Sequence, residues 1–150
     1  MSICDKVAVM NEGKIHQIDI PINLLNNPKT LFVSSFILGN NIINLQKNGN
    51  SYMSCLGEIN SSGVIQNANI KSMSISPKFI SIKRSESGNA NVISKEFFGE
   101  FLIYKVTING NILRVRTDIN NLLNNGDKCS LSINKNGYYF LYPGAHKVYI

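Results

Sequence analysis

The chain has few of the features that announce a membrane span, a secreted scaffold or a catalytic centre. No apolar run approaches the roughly 20 residues that cross a bilayer as a helix, and the N-terminus lacks the basic-then-apolar layout of a signal peptide. These two absences predict a cytosolic protein. Only three cysteines are present, Cys4, Cys55 and Cys129, far apart and odd in number, which argues against a disulfide framework or a zinc site. They are expected to be small core residues. The two histidines, His16 and His146, form no His-x-x-x-His pair and are expected on the surface or in loops. There is no Gly-x-x-x-x-Gly-Lys-Ser/Thr loop to cradle a phosphate, no nucleophile elbow and no Cys-x-x-Cys. The chain by itself is therefore not expected to be an enzyme, and no catalytic, cofactor or metal site is predicted in it.

Acidic side chains are also scarce: nine against fifteen Lys and Arg give a net charge of +6. Clustered cations of this kind would favour nucleic acid through counterion release. In sequence they are not clustered, because residues 1–82 carry six basic and four acidic side chains and residues 83–150 carry nine and five. A mildly basic, solvated surface and no nucleic-acid partner are the expectation. The abundant asparagines fall where Asx-turns and left-handed positions are wanted.

What is present is alternation. In 150 residues, 43% hydrophobic and 16% charged, the composition is that of an ordinary globular chain. The stretch from Lys95 to Pro143 alternates apolar and polar residues almost continuously. Leu102, Tyr104, Val106 and Ile108 fall on one face, Asn109-Gly110 gives a type I′ hairpin signal, and Leu113, Val115 and Thr117 resume that face. Gly126-Asp127 precedes Cys129, Leu131 and Ile133; Asn136-Gly137 introduces Tyr138 to Tyr142, a last buried strand closed by Pro143-Gly144. Four strands in under fifty residues is the density of an OB-like barrel. Further strands are expected over 41–46, 52–59, 64–75 and 79–83, divided at Asn48-Gly49, Ser61-Ser62-Gly63 and Ser76-Pro77.

Two side-chain sets invite a functional reading. Phe97, Phe98, Phe101, Tyr138, Tyr139, Phe140 and Tyr142 offer a base-stacking platform, although their alternation makes core the better explanation for most. A two-residue loop at Asn109-Gly110 pairs Lys105 with Arg114 and puts Arg116 two residues along the same face. Like charges directly opposite are unfavourable, so that face is expected to meet water, an acidic partner or an anion.

At the N-terminal end, Ser2-Ile3-Cys4-Asp5 reads as the tail of a helix that begins upstream. Val7 to Met10 and Lys14 to Gln17 read as a hairpin, with Gly13 supplying a positive φ. Pro21 opens a helix over Ile22 to Asn26, and Pro28 a second over Lys29 to Leu38, with a stripe of Leu31, Phe32, Ser35 and Phe36. Gly39 stops it.

The segment DKVAVMNEGKIHQIDIPINLLNNPKTLFVSSFILGNN resembles the end of the nucleotide-binding domain in ATPase subunits of ABC importers. There an Asp-Arg-aliphatic-Ala-Val-Met, Gly-x-Ile-x-Gln, two spaced prolines and Phe-Val-x-x-Phe-aliphatic-Gly-x-x-Asn follow in this order. Asp5-Lys6, Val7 to Met10, Gly13, Gln17, Pro21, Pro28, Phe32-Val33, Phe36 and Asn41 match it. Asp19 departs from the family's usual Gly, and one residue is extra near Leu38-Gly39. The remainder is similar to the OB-like TOBE regulatory module of that family, with Phe98-Gly99-Glu100-Phe101 and Asn125-Gly126-Asp127-Lys128 at its turns. In the family's aliphatic-Arg-Pro-Glu stretch, Ser76 and Lys78 replace the Arg and Glu.

The resemblance implies a mainly β, OB-like (TOBE) barrel module over 41–150, preceded over 1–40 by a short α+β remnant, a hairpin and two short helices, of an ATPase domain. It implies a regulatory and dimerising role, with ATP and Mg held by the full-length parent, permease subunits as partners and a place at the inner face of the cell membrane. The transported solute is expected to be ferric iron or a polyamine. Self-association is expected to bury the Val7–Met10 strand and the Leu31, Phe32 and Phe36 stripe in a homodimer. The alternatives are an OB-fold nucleic-acid binder and a molybdate-type small-anion module; neither needs the Pro-punctuated N-terminal segment.

Overall fold

A computed structural model describes residues 4–59 and 69–150. The expected Ser61-Ser62-Gly63 turn, the first half of the 64–75 strand and Ser2-Ile3 lie outside the described residues. Cys4 and Asp5 are not helical; strand β1 (Val7–Asn11) begins two residues later and the chain enters it without a helical turn. Strand β2 (Lys14–Asp19) returns antiparallel, through a turn in which Glu12 (φ 49°) and Gly13 (φ 74°) are both left-handed.

Helix α1 (Pro21–Asn26) starts on its proline. Helix α2 (Leu31–Leu38) begins two residues later than Pro28 suggests, because the Thr30 hydroxyl accepts from the Val33 N–H at 3.2 Å and takes the N-cap. At its other end Gly39 adopts φ 65° and donates back to Ser35 O, as expected of a C-terminal stop. Between the helices the buried Gln17 amide grips the Pro28 loop: Nε2 donates to Asn27 O at 3.1 Å and Oε1 accepts from Lys29 N at 2.9 Å. One β2 side chain thereby satisfies both sides of a peptide turn that a proline leaves short of donors.

The rest of the chain is β. Strands β3 (Asn41–Asn44), β4 (Gln46–Asn48), β5 (Ser51–Ser54), β6 (Gly57–Ile59) and β7 (Ser72–Ile75) come first. A 3-10 turn (Pro77–Phe79) then leads to β8 (Ile80–Arg84), β9 (Ala90–Phe97), β10 (Phe101–Ile108), β11 (Asn111–Asp118), β12 (Lys128–Ile133), β13 (Tyr138–Tyr142) and β14 (His146–Tyr149). Two of the expected strands are split, at Leu45 and at Cys55-Leu56. The last strand does not end the sheet: the chain doubles back through Gly144 (φ 103°) and Ala145 (φ 51°) so that β14 pairs with β13.

The strands form a five-stranded sheet in the order β11-β10-β9-β12-β8, a four-stranded sheet β14-β13-β7-β3, and the smaller β4-β5-β6 and β1-β2 ribbons. The fold is mainly β, with open sheets that share one core, as an OB-like module requires. Ile43, Met73, Ile75, Tyr139 and Leu141 from the four-stranded sheet meet Val92, Leu102, Tyr104, Val106, Leu113 and Val115 from the five-stranded one. The Leu102-to-Ile108 face, resumed by Leu113 and Val115, is buried as the alternation predicts, and Asn109 (φ 48°) and Gly110 (φ 78°) make the primed turn. Fully buried Tyr104 fastens the following loop: its hydroxyl donates to Asn121 O at 2.8 Å and accepts from Leu123 N at 2.8 Å. Of the cysteines, Cys129 is buried and Cys55 half-buried, but Cys4 is exposed rather than a core residue, since β1 begins beyond it.

Strand β7 is buried on both faces. Met73 and Ile75 point into the core, while Ser74 lies under α2, where the Ser34 and Ser74 hydroxyls hydrogen-bond and Asn40 Nδ2 donates to both, at 3.2 and 3.0 Å. Nearby the Tyr142 hydroxyl donates to Pro28 O at 2.6 Å. The seam between the helical segment and the sheets is thus polar and paired, as buried hydroxyls demand.

Candidate functional site

The hairpin register places the predicted cations as expected: Lys105 pairs with Arg114, and Ile103 with Arg116. All three charged side chains are exposed. The fold then separates them. Arg114 and Arg116 line a cleft of about 420 Å³ together with Lys78, while Lys105 stands outside it. The other walls are the C-terminal turn of α2, the Ser76–Lys78 turn and the rings of Phe36, Phe98 and Phe101.

Local structure explains the arrangement. The buried Asn41 side chain copies a strand partner: its Nδ2 donates to Arg114 O and its Oδ1 accepts from Arg114 N, both at 2.8 Å. This fixes the start of β3, and hence the end of α2, beside β11. Arg114 Nη1 lies 3.9 Å from where a Cβ on Gly39 would stand, next to the C-terminal carbonyls of α2, where a cation is favourable. The Arg116 guanidinium sits over the Phe101 ring at 3.8 Å, and Phe101 stacks on Phe98 at 5.2 Å. Among the described residues the one ion pair is Arg84–Asp127, at 2.6 Å. No carboxylate therefore pairs with Lys78, Arg114, Arg116 or Lys105.

Two features of this site went unpredicted. Lys78 has no spacing that ties it to the hairpin; only folding of the 3-10 turn against β11 brings it there. The Arg116–Phe101 stack was within reach, because a register of 105 with 114 makes 101 and 116 diagonal neighbours. Core burial holds for Tyr139, Phe140 and Tyr142 but not for Phe97 and Phe98, which are 63% and 48% exposed. Both lie at the end of the β9–β10 hairpin, beyond the reach of the opposite sheet.

The residues of the predicted α2 stripe lie away from the most deeply packed side of the helix. Val33 and Ser34 face inward, Leu31 and Phe32 are half-buried, and Phe36 is 68% exposed. The helix is apolar on nearly every side, so spacing alone does not single out the packed face. His16, Phe32 and Phe36 form a continuous ring stack, with centroids 4.8 and 5.3 Å apart. Leu31, Phe32 and His16 border a second cleft, of about 630 Å³, against Lys71 and Tyr142. The His16 ring is also within hydrogen-bonding distance of the Thr30 hydroxyl, at 3.2 Å, a structural tie in place of a free loop position.

Titratable groups follow these contacts. The Asn124 backbone N–H, and then Arg84, hold the Asp127 carboxyl below its usual range. The side-chain amide of Asn23 does the same for Asp19. Burial raises the thiols of Cys55 and Cys129 and pushes the hydroxyls of Tyr139 and Tyr142 up to about 12. Among the described residues no group of three His, Cys, Asp or Glu is placed to hold a metal ion, and no helix is long and apolar enough to cross a membrane.

No family model matches the chain. It is 51% identical over 53 residues to the spermidine/putrescine import ATP-binding protein PotA of Bacillus anthracis, covering 35% of this chain and 15% of that protein. PotA of Desulfitobacterium hafniense is 51% identical over 43 residues, 29% of this chain and 12% of the relative. The sn-glycerol-3-phosphate import ATP-binding protein UgpC of Roseobacter denitrificans is 54% identical over 37 residues, 25% of this chain and 10% of the relative. Over the matched stretch the chain is similar to ATP-binding subunits of ABC importers, and the match spans about a seventh of the length of the first of these curated relatives.

Proposed function

We propose that this chain is the C-terminal regulatory and dimerising region of the ATP-binding subunit of an ABC importer. On this reading residues 1–40 are the end of the nucleotide-binding domain and residues 41–150 the OB-like regulatory module. The observation that carries it is the identity of 51% to 54%, over stretches of 37 to 53 residues, to three import ATP-binding proteins. A physical feature supports it: Met10, Ile15, Ile18, Ile20, Ile22 and Phe36 are exposed on or beside a hairpin and two helices with only three buried apolar residues of their own. Apolar surface of this kind, on a segment with so small a core of its own, marks an interface. A larger ATPase domain upstream is its natural cover in the parent, and a second copy of the chain, meeting along Leu31, Phe32 and Phe36, is its cover when that domain is absent.

The relatives named for spermidine/putrescine import favour a polyamine over ferric iron as the solute. ATP and Mg would be bound by the upstream domain and the permease subunits contacted through it, placing the assembly at the inner face of the membrane; the chain itself supplies no chemistry. The decisive experiment exchanges the matching C-terminal part of Bacillus anthracis PotA for this chain and measures uptake of labelled spermidine. Restored, ATP-dependent uptake is the expected result. A stable hybrid that hydrolyses ATP without transporting any polyamine would refute the solute, and one unable to assemble with its permeases would refute the whole reading.

A further inference from the structure

We infer that the cleft between α2, the Ser76–Lys78 turn and the β10–β11 hairpin is a docking site for an acidic peptide segment of a partner protein, one that carries an aromatic or large apolar side chain beside its carboxylates. The proposal stands on the cleft itself, but it shares Phe36 with the interface proposed above, so the peptide and whatever covers that interface compete for this ring.

Lys78, Arg114 and Arg116 converge there with no carboxylate in the lining, and none is ion-paired elsewhere among the described residues. Glu96 stands opposite Ile103, Asp118 opposite Phe101 and Glu100 in the turn next to Phe101, and among the described residues none of the three is ion-paired with an arginine. Stacking on Phe101 at 3.8 Å holds the Arg116 guanidinium by its face, so its planar fork of N–H donors stays free at the edge. That geometry matches a carboxylate bidentately at little further cost in side-chain order. A free anion would satisfy the fork but leave the exposed rings of Phe36 and Phe98 in water. A segment pairing a carboxylate with an aromatic residue covers both, and arginine with aromatic anchors is the composition of interface hot spots.

The test is fluorescence anisotropy of the full chain with a short labelled peptide of aspartate and glutamate around one phenylalanine. Expected are saturable binding, its loss when the acids are replaced by their amides, and clear weakening when the phenylalanine becomes alanine. Arg116→Ala should weaken binding about tenfold, the scale of one lost charge-assisted pair. Arg116→Lys should recover little of it, because charge returns without the fork. Lys105→Ala, on the same sheet face but outside the cleft, should change affinity less than about twofold. Circular dichroism on each variant separates lost binding from lost fold. The proposal is overturned if the amide peptide binds equally well or if Arg116→Ala and Arg114→Ala bind unchanged. It is also overturned if inorganic phosphate alone displaces the peptide at matching concentration, or if single-stranded RNA binds the cleft more tightly.

Discussion

The N-terminal 40 residues and the β module that follows solve the same problem with unequal means. Among the described residues the module encloses one core cluster of 22 buried residues, drawn mostly from the five- and four-stranded sheets and completed by the β5–β6 ribbon and by loop positions such as Leu45, Ile70 and Leu123. The hairpin and helices bury three, Val9, Leu24 and Val33, helped by flanking Val7, Phe32 and Ile37. They are held to the module by polar bonds, Ser34 and Asn40 to Ser74 and Tyr142 to Pro28. Stability in a protein is distributed in this way, with regions of few buried contacts opening well below the global transition. A segment so thinly cored and so apolar outside is what the proposed interface would cover.

The largest expected effect tests the strong side of that contrast. Leu141→Ala removes a fully buried side chain from the shared core and should cost about 2–5 kcal/mol, seen as a lower urea midpoint for unfolding of the β module. Close behind is Gly88→Ala. A Cβ there would stand 2.1 Å from the Cys129 carbonyl oxygen of β12, a backbone clash that should cost about 3 kcal/mol by forcing the β8–β9 turn off its neighbour. Tyr104→Phe is smaller, about 1–3 kcal/mol, because it leaves the Leu123 N–H without its acceptor in a buried site. An unchanged urea midpoint in any of the three would show that the module's core is not its source of stability.

The weak side calls for a different readout. Leu24→Ala should abolish hydrogen-exchange protection across residues 4–40 while moving the global midpoint by less than about 1 kcal/mol. Equal loss of protection in β10 and β11 would show the two regions to be one cooperative unit. The smallest effect concerns the seam at high pH. Folding raises the Tyr139 and Tyr142 hydroxyls from the ordinary 10.0 to about 12, by burial. The folded state therefore binds their protons more tightly than the unfolded one. That stability is fully present below about pH 10 and lost as pH rises toward 12. Tyr142→Phe should flatten part of this alkaline decline and weaken the tie to Pro28; an unaltered alkaline profile would remove Tyr142 from the seam.

The sequence by itself determined what depends on near neighbours. Period-two alternation and an Asn-Gly turn specified the β10–β11 hairpin to the residue, including the Lys105–Arg114 pair, because a two-residue loop admits one register. Pro21 and Gly39 likewise placed helix ends through backbone chemistry that no tertiary contact overrides. Tertiary structure alone decided the rest. An α2 that is apolar on nearly every side does not show by spacing which face packs, so the sheet beneath chose Val33 and Ser34 as its inner face. His146–Tyr149 is too short and too polar to announce a strand until β13 offers it a partner. The basic residues, evenly spread along the chain, became a site only when β3, pinned by Asn41 to the backbone of Arg114, carried the end of α2 to the same cleft as Lys78, Arg114 and Arg116. Charge pays no heed to sequence distance, and its clustering is set by which surfaces the core brings together.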